Sequence, residues 1–459
     1  MHSKPSPFIP ELMAPAGTLR AGLTALDAGA DAVYAGLQQF NARARAANLT
    51  LTDFRKLVAA ARRKERKVYL TLNTLLKENE LLDAAALLAD IALLRPDAVI
   101  VQDLGVIQLL RTHFPEIPVH ASTQAGIHNS AGVFALAEFG VQRVILERQL
   151  TFDEIRTIAE RSPLELEVFV HGALCCSRYG TCLFSSWLGG WSGNRGNCKQ
   201  PCRRRFYSAD GNGFFFSTND LCLLEHVPQL CDMNVAALKI EGRLRNADYV
   251  RNTVAAYRLI LDAPPENRKH ALREGRRLLA DALGRRWSNG FRETADFATV
   301  LNHTVSGASG LITGRVARVT KSGFTARLSR TLAVGDRVRV QPASAEEGPA
   351  FTVTRLMLDR KAVKRVYSGQ TCFIPVDKEI PADGTVFKTG VTTPDLSQRI
   401  AKLPVPDCAL DLDIAVSAGE LHVSIVGLPG CEWRETLELS EARNQPVLAE
   451  TVRANFQHI

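Results

Sequence analysis

Four cysteines in one short stretch of this chain could hold a single metal centre. Their pattern is C-x6-C-x15-C-x3-C, formed by Cys175, Cys182, Cys198 and Cys202. Thiolates are the ligands that iron–sulfur clusters and structural zinc prefer. Zinc sites usually pair two C-x2-C knuckles, and the longer spacings here are too open for that arrangement. The spacing therefore favours an iron–sulfur cluster, with zinc and no metal as the alternatives.

Neighbouring cysteines bear on which sulfurs bind. Cys176 adjoins Cys175, and we expect it to point away from the metal. Cys222 is the substitute ligand if Cys202 proves free. Seven of the ten cysteines lie between residues 175 and 231, which suits metal binding better than a disulfide framework.

The elements that must position these cysteines alternate short β-like runs with amphipathic helical stretches. Eight runs are candidate strands: Glu11–Ala14, Ala32–Ala35, Val68–Asn73, Ala98–Asp103, Val119–Gln124, Arg143–Leu146, Glu165–Val170 and Ala237–Glu241. Eight strands with helical crossovers predict an α/β fold, a (β/α)8 TIM-like barrel. A doubly wound sheet is the alternative, but no G-x-G-x-x-G follows the first strand.

Polar residues follow many of these strands, and in such a barrel chemistry occurs at the C-terminal strand ends. The cysteine segment 171–205 leaves the seventh strand at the same end. The polar set is Asn73, Gln102, Asp103, His120, Ser122, Gln124, Glu147, His171, Lys239, Glu241 and Arg243. We therefore expect a pocket beside the metal centre.

The predicted domains are the barrel over 1–265, a helical connector over 266–305, a small antiparallel β-barrel over 306–400 and an α+β C-terminal segment over 401–459. Alternating apolar residues punctuated by Gly and Asp indicate the second barrel. A helix-like tail begins at Ser440 and reaches Ile459 without an obvious C-cap. That ending suggests a chain cut short.

Charge and hydropathy bear on partners and location. The net charge of +8 favours a polyanion such as RNA. Lys199, Arg203, Arg204 and Arg205 precede two aromatic residues and are candidate RNA-binding groups, with a solvated loop as the alternative. The sequence has no apolar run long enough for a membrane span and no signal peptide. We expect a cytoplasmic protein.

Three motifs resemble the collagenase-like peptidase U32 family. They are EVFVHGALC (Glu167–Cys175), GNRGNCKQPC (Gly193–Cys202) and KIEGR (Lys239–Arg243). The resemblance covers roughly residues 10–265. Members of this family include enzymes that hydroxylate RNA bases or ubiquinone precursors and bind a [4Fe-4S] cluster.

The resemblance implies such a cluster on the four cysteines and an RNA-modifying hydroxylase. Within the family, the chain is most similar to cytidine hydroxylases of 23S ribosomal RNA, and tRNA uridine hydroxylases are a close alternative. Both imply prephenate, a small organic acid, as co-substrate.

Together, the motifs and strand ends predict roles for a set of pocket residues. Lys239, Glu241 and His120 are predicted as catalytic. Arg43, Asn73, Gln124 and Arg243 are predicted to bind the substrate. Arginine offers carboxylates bidentate geometry, and Glu241 could position Lys239 or Arg243.

Two other functions stay open. The family name suggests a peptidase, but the sequence has no H-E-x-x-H and no recognisable Ser/His/Asp or Cys/His signature. An RNA-binding factor with structural zinc is the non-enzymatic alternative.

Overall fold

The computed structural model describes residues 8–44, 46–280, 282, 284–304, 310–343, 348–390, 396–405, 412–417, 419–426 and 432–436. The chain consists of two compact units, with the boundary between residues 406 and 407. The predicted barrel, connector and second β domain therefore fall within one unit, and their exact limits stay predictions.

The barrel forms from strands in the first part of this unit. Strands up to residue 304 are β1 (Glu11–Ala16), β2 (Ala32–Gly36), β3 (Lys67–Leu72), β4 (Ala98–Val101), β5 (Val119–Ala121), β6 (Arg143–Ile145), β7 (Glu165–Ala173), β8 (Phe206–Ser208), β9 (Gly211–Gly213), β10 (Asp220–Cys222), β11 (Ala237–Ile240) and β12 (Trp287–Ser288). Strands β1 to β7 pair in parallel in chain order, and β11 pairs with both β7 and β1. These eight strands close into the predicted (β/α)8 barrel, which is confirmed.

Helices alternate with the barrel strands along the chain, and further helices follow. The helices are α1 (Leu19–Asp27), α2 (Leu51–Arg62), α3 (Leu81–Leu94), α4 (Leu104–His113), α5 (Ser130–Glu138), α6 (Phe152–Ala159), α7 (Phe184–Gly189), α8 (Val227–Asp232), α9 (Ala247–Leu261), α10 (Arg268–Ala280), α11 (Phe297–Val300) and α12 (Ser397–Ala401). Thr18 and Asp103 cap α1 and α4 by accepting the N–H of Ala21 and Val106. Such caps start helices directly after strands. No helix in the described ranges has the length and apolar character needed to cross a membrane.

Beyond the barrel, the unit continues as antiparallel sheet. Its strands are β13 (Leu311–Thr320), β14 (Gly323–Leu328), β15 (Leu332–Ala333), β16 (Arg337–Gln341), β17 (Ala350–Thr352), β18 (Leu356–Leu358), β19 (Lys361–Val363), β20 (Arg365–Val366), β21 (Thr371–Pro375) and β22 (Thr385–Gly390). Eight of them form one sheet, and β15 pairs with β20. Irregular register in β13 bends the sheet around a core that includes Phe324, Val338 and Ile374.

The antiparallel architecture predicted for this region is confirmed. Among the described residues, however, no pairing joins the two outermost strands, β17 and β19. The sheet curls around its core, and its closure into a small barrel stays a prediction.

The second unit contains three described strands, β23 (Leu412–Ser417), β24 (Glu420–Ile425) and β25 (Glu432–Thr436), paired antiparallel in that order. The helix predicted from Ser440 lies outside the described residues.

Candidate functional site

The long loop after β7 encloses a cavity of about 630 Å³ at the C-terminal end of the barrel. All four predicted ligands line this cavity, namely Cys175, Cys182, Cys198 and Cys202. Arg43 and Glu241, from the strand ends of the barrel, line it too. We call it the cysteine cavity.

Contacts with the strand ends hold the first half of this loop. The carboxylate of Glu147, just after β6, accepts the backbone N–H of Tyr179 at 2.8 Å and the Thr123 hydroxyl at 3.1 Å. Next to Tyr179, Gly180 has a φ of +76°, and a Cβ there would lie 1.9 Å from the carbonyl oxygen of Gln124. Only glycine fits this approach of loop to barrel.

Alanine at Gly180 should destabilise the chain more than alanine at Gly190. Both glycines have left-handed backbones, with φ of +76° and +70°, but a Cβ at Gly190 would meet nothing within 4 Å. The left-handed backbone alone costs an alanine about 1–2 kcal/mol, and a steric clash adds about 1–3 kcal/mol. Thermal unfolding of Gly180→Ala and Gly190→Ala checks this. Equal shifts of the two midpoints would contradict the close approach.

The sulfurs differ in their surroundings. Cys198 Sγ lies 3.8 Å from the Ser185 hydroxyl and accepts the backbone N–H of Gln200 at 3.4 Å. Such donors tune the potential of a thiolate-bound cluster. Burial raises the pKa of Cys175. The expectation that Cys176 points away from the other cysteines is wrong, because Cys176 also lines the cavity. A hydrogen bond from Cys176 lowers the pKa of Cys202 to about 6.

Cys222, the predicted substitute ligand, lies elsewhere. It is in β10, paired with His171 of β7, and it is absent from the lining of the cysteine cavity. Burial raises the pKa of its thiol to about 11. The geometry thus favours Cys202 as the fourth ligand.

A zinc ion and an iron–sulfur cluster require different distances between the ligand sulfurs. Across the described ranges, no three His, Cys, Asp or Glu side chains are grouped tightly enough to hold one metal ion. Tetrahedral zinc at a Zn–S distance of about 2.3 Å requires sulfurs about 3.8 Å apart. In a four-iron cluster each thiolate binds a different iron, so the sulfurs stand farther apart. The all-thiolate donor set around a cavity of about 630 Å³ therefore fits a cluster.

A small pocket of about 30 Å³ adjoins the cysteine cavity inside the barrel mouth. Four polar residues line both spaces: Arg43, Gln124, Tyr179 and Glu241. The other polar side chains of the pocket belong to Tyr34, Thr71, Asn73, Ser122, Thr123, Arg148, Lys239 and Arg243. We call it the arginine pocket.

Glu241 lies between two arginines of this pocket. Its carboxylate is 3.2 Å from the guanidinium of Arg43 and 2.9 Å from that of Arg148. Burial alone would raise the pKa of Glu241, but the two positive charges outweigh it and lower the pKa to about 2. The predicted role for Glu241 is corrected here, because its ion pairs are with these two residues and not with Lys239 or Arg243.

Arg243 is buried, and no carboxylate among the described residues forms an ion pair with it. Its guanidinium donates to Thr71 Oγ1 at 2.8 Å and to Asn41 Oδ1 at 3.2 Å, and both acceptors are neutral. Burial, followed by the charge of Arg43, lowers the pKa of Arg243 to about 10. The guanidinium stays protonated at neutral pH, so the pocket has three arginines for one glutamate and attracts anions.

Lys239 is less available than predicted. Its ammonium lies 2.8 Å from Glu167 Oε1 and 4.1 Å from the centroid of the Tyr34 ring. Burial lowers the pKa of Lys239. The amine reaches the pocket wall, but Glu167 already neutralises its charge.

Asn73 and Gln124 do line the pocket, as predicted. The amide of Gln124 donates to the Asn73 carbonyl at 3.0 Å, and the amide of Asn73 to Ser122 Oγ at 3.3 Å. These bonds join the ends of β3 and β5 across the mouth.

His120 is the predicted catalytic residue that the structure places away from the site. Its ring is 4.9 Å from the Tyr69 ring, and it is absent from the lining of both spaces. Burial, followed by the charge of Arg143, lowers the pKa of His120 well below its usual value. His120 is therefore a neutral residue of the barrel interior.

Arg148 and Tyr179 are two of the pocket residues that were not predicted. Arg148 follows Glu147 at the end of β6, and its guanidinium lies 3.5 Å from the centroid of the Phe169 ring. In the sequence, the position of Arg148 next to Glu147 at a polar strand end was the feature that could have identified it. Tyr179 lies in the loop between Cys175 and Cys182, two of the predicted ligands, and the sequence carried no comparable signal for it.

The predicted RNA-binding residues differ in availability. Arg203 is directed inward and donates to the carbonyl oxygens of Leu174 and Thr218, both at 2.8 Å, so it holds the loop. Arg205 lies over the Phe214 ring at 4.8 Å. Lys199, over the Trp191 ring at 3.9 Å, and Arg204 are exposed.

Comparison with known proteins identifies the family of this chain. The model of peptidase family U32 matches residues 17–301. The chain belongs to peptidase family U32. The family predicted from the motifs is thereby confirmed.

Three relatives in this family are informative. An uncharacterized protease of Methanocaldococcus jannaschii is 36% identical over 354 residues, which are 72% of this chain and 86% of that protein. The 23S rRNA 5-hydroxycytidine synthase of Escherichia coli is 38% identical, over 56% of this chain and 40% of the enzyme. The tRNA hydroxylation protein P1 of Bacillus subtilis is 36% identical, over 56% of this chain and 65% of that protein. The chain thus spans less than two thirds of both RNA-modifying relatives.

Proposed function

We propose that this U32-family chain hydroxylates a base in RNA, using a [4Fe-4S] cluster and a small organic acid. The observation that carries the proposal is the wall that the cysteine cavity shares with the arginine pocket. An acid held by the arginines would lie directly beside metal held by the cysteines. The names of two relatives support RNA as the substrate and hydroxylation as the reaction.

In this proposal the acid is held by its charge. Arg243 and Arg148 bind one of its carboxylates, and Glu241 orients Arg43 and Arg148 through its two ion pairs. The pocket volume of about 30 Å³ suits little more than a carboxylate group. The body of the acid therefore extends past Tyr179 into the cysteine cavity. Prephenate, a dicarboxylate, is the acid that we propose.

The cluster would be held by Cys175, Cys182, Cys198 and Cys202, and when bound it would supply electron transfer at the barrel mouth. Hydroxylation replaces a hydrogen of the base with OH, so the base loses two electrons. A hydroxylated acid, A–OH, balances this change if it gives up OH and leaves as A–H. The protein residues bind the acid, orient it and limit the access of water.

Mass spectrometry of RNA from a strain that lacks this chain tests the proposal. We expect one nucleoside, heavier by one oxygen atom, to disappear and to return with the unchanged gene but not with a Cys198→Ser gene. Loss from 23S rRNA would indicate the cytidine, and loss from tRNA the uridine. A full complement of nucleosides in the deletion strain, with colourless and iron-free protein, would refute the proposal.

A peptidase is the second candidate, because the archaeal relative carries the name of a protease. Turnover of casein by pure protein, unaffected by Cys175→Ala, would favour it. A cysteine nucleophile has little support, since Cys175 is one of five cysteines around the cavity and its thiol pKa is raised.

A further inference from the structure

Two more cavities continue from the cysteine cavity towards the antiparallel sheet. The first, of about 580 Å³, lies between the segment around Arg285 and the start of β13. Arg285 lines both this cavity and the cysteine cavity. The second, of about 620 Å³, shares Leu311 and Arg330 with the first. Shared lining residues therefore link the three spaces in this order, and we call the outer two the basic groove.

The groove has unneutralised positive charge. Among the described residues that line it, Asp336 is the one with a carboxylate, and it pairs with Lys388 at 2.7 Å. Arg286, Arg330 and Arg365 line the groove and are exposed. In the portion of the chain that the structure describes, none of these three arginines forms an ion pair. Three guanidinium groups in a row suit a chain of phosphates.

An aromatic ring lies among these charges. Trp287, next to Arg286, is 40% exposed and lines the groove with Phe387. Bases of single-stranded RNA stack on such rings, whereas a duplex keeps its bases inside and offers phosphates and sugars. Cations beside an exposed ring therefore favour a single strand over a duplex.

The local connections lead from the groove to the cluster site. Trp287 in β12 pairs with Asp220 in β10, and Asp220 holds Arg285 at 3.2 Å. Arg285 is the residue common to the groove and the cysteine cavity. A strand lying across Trp287 would thus continue to the cavity that the cysteines line.

We propose that the basic groove binds a single-stranded segment of RNA and directs its target base into the cysteine cavity. This inference rests on the proposed function and adds the path by which the RNA reaches the cysteine cavity. Arg286, Arg330 and Arg365 contact successive phosphates, and one base stacks on Trp287.

Binding of a fluorescent single-stranded oligoribonucleotide tests the groove. The variant with Arg286→Ala, Arg330→Ala and Arg365→Ala should bind at least about tenfold more weakly, and its logarithmic salt slope should fall by about 2 to 3, near one per phosphate contact. Trp287→Ala should weaken binding by about tenfold, and Trp287→Phe should restore most of it.

The matched control removes the same charge from the eight-stranded antiparallel sheet outside the groove. Arg318, Arg327 and Lys361 are exposed and line neither groove cavity, so their triple alanine variant should bind nearly as well as the unchanged chain. The proposal would be overturned if both triple variants lost the same affinity for the oligoribonucleotide or if neither lost any. It would also be overturned if the unchanged chain bound an RNA duplex more tightly than the single strand. Iron content and thermal midpoint, measured on every variant, identify a folding defect.

Failure of the groove and failure of the proposed function give different results. If the groove variants bind RNA normally while the unchanged chain hydroxylates it, the groove is wrong and the function stands. If the groove variants lose RNA binding but no hydroxylated nucleoside depends on the chain, the groove stands and the function is wrong. An acidic protein that competes with RNA for the groove, with higher affinity, would reassign the groove to a protein partner.

Discussion

Cys202→Ser protein, purified without oxygen, should bind roughly a tenth or less of the iron that the unchanged chain binds, because a serine hydroxyl is a poor ligand for iron in a thiolate site. Cys202 lines the cysteine cavity together with Cys175, Cys182 and Cys198. The same loss is expected for serine at each of those three positions. Iron and sulfide assays, together with the visible absorbance of the cluster, measure it.

Cys222→Ala is the matched control for this experiment. Cys222 is a half-buried cysteine like Cys202, but it faces a different environment, in which burial raises its pKa to about 11. We expect this variant to keep its iron. The opposite pattern, with iron retained in Cys202→Ser and lost in Cys222→Ala, would identify Cys222 as the fourth ligand in place of Cys202. If the unchanged protein contains one zinc per chain, the cysteines form a structural zinc site and the cluster is contradicted.

The barrel could be predicted because its signals are local. Runs such as Ala98–Val101 are buried along their whole length, and residues such as Thr18 and Asp103 start the next helix directly after a strand. Strong local patterns of this kind predict the elements, and their alternation predicts the barrel. Closure of the antiparallel sheet depends on pairing between distant edges, which no local pattern specifies.

The position of a side chain along the barrel axis could not be predicted in the same way. His120 is the middle residue of β5 and pairs with Arg143, the first residue of β6. That register places it deep in the barrel, whereas Gln124, a few residues later, reaches the mouth. The stagger between neighbouring strands decides depth, and it is a property of the closed barrel.

Arg203 and Arg148 illustrate the same limit for charge. Arg203 belongs to a basic run that resembles a phosphate site, yet backbone carbonyls in the loop take its hydrogen bonds. Arg148 has no basic neighbour in the sequence, yet it joins Arg43 and Glu241 through folding. Charge composition predicts the sign of a surface, and tertiary contacts decide which cations remain available.

Arg243→Ala should lower hydroxylation about 100-fold or more, because loss of a charge-assisted pair of hydrogen bonds to a carboxylate costs about 3 kcal/mol or more. Iron content should be unchanged, since Arg243 does not line the cysteine cavity. Thermal stability should change little, because the two groups that Arg243 contacts keep other partners: the Thr71 hydroxyl donates to the carbonyl oxygen of Ala35, and Asn41 Oδ1 accepts the backbone N–H of Arg43. The substitution also removes a buried charge that forms no ion pair with a described residue. Arg243→Lys should recover only part of the activity, since lysine keeps the charge but lacks the planar pair of donors.

Arg292→Ala is the matched control for this prediction. Arg292 is also buried, and its pKa is also lowered to about 10 by burial. Its guanidinium, however, donates to the backbone carbonyls of Leu150 and Phe169, so its removal leaves buried acceptors unpaired and should lower the thermal midpoint. A pocket role for Arg243 requires that the two variants differ: Arg243→Ala inactive and stable, Arg292→Ala less stable. Similar losses of stability and iron in both would make Arg243 a structural residue, and the anion would then need another partner.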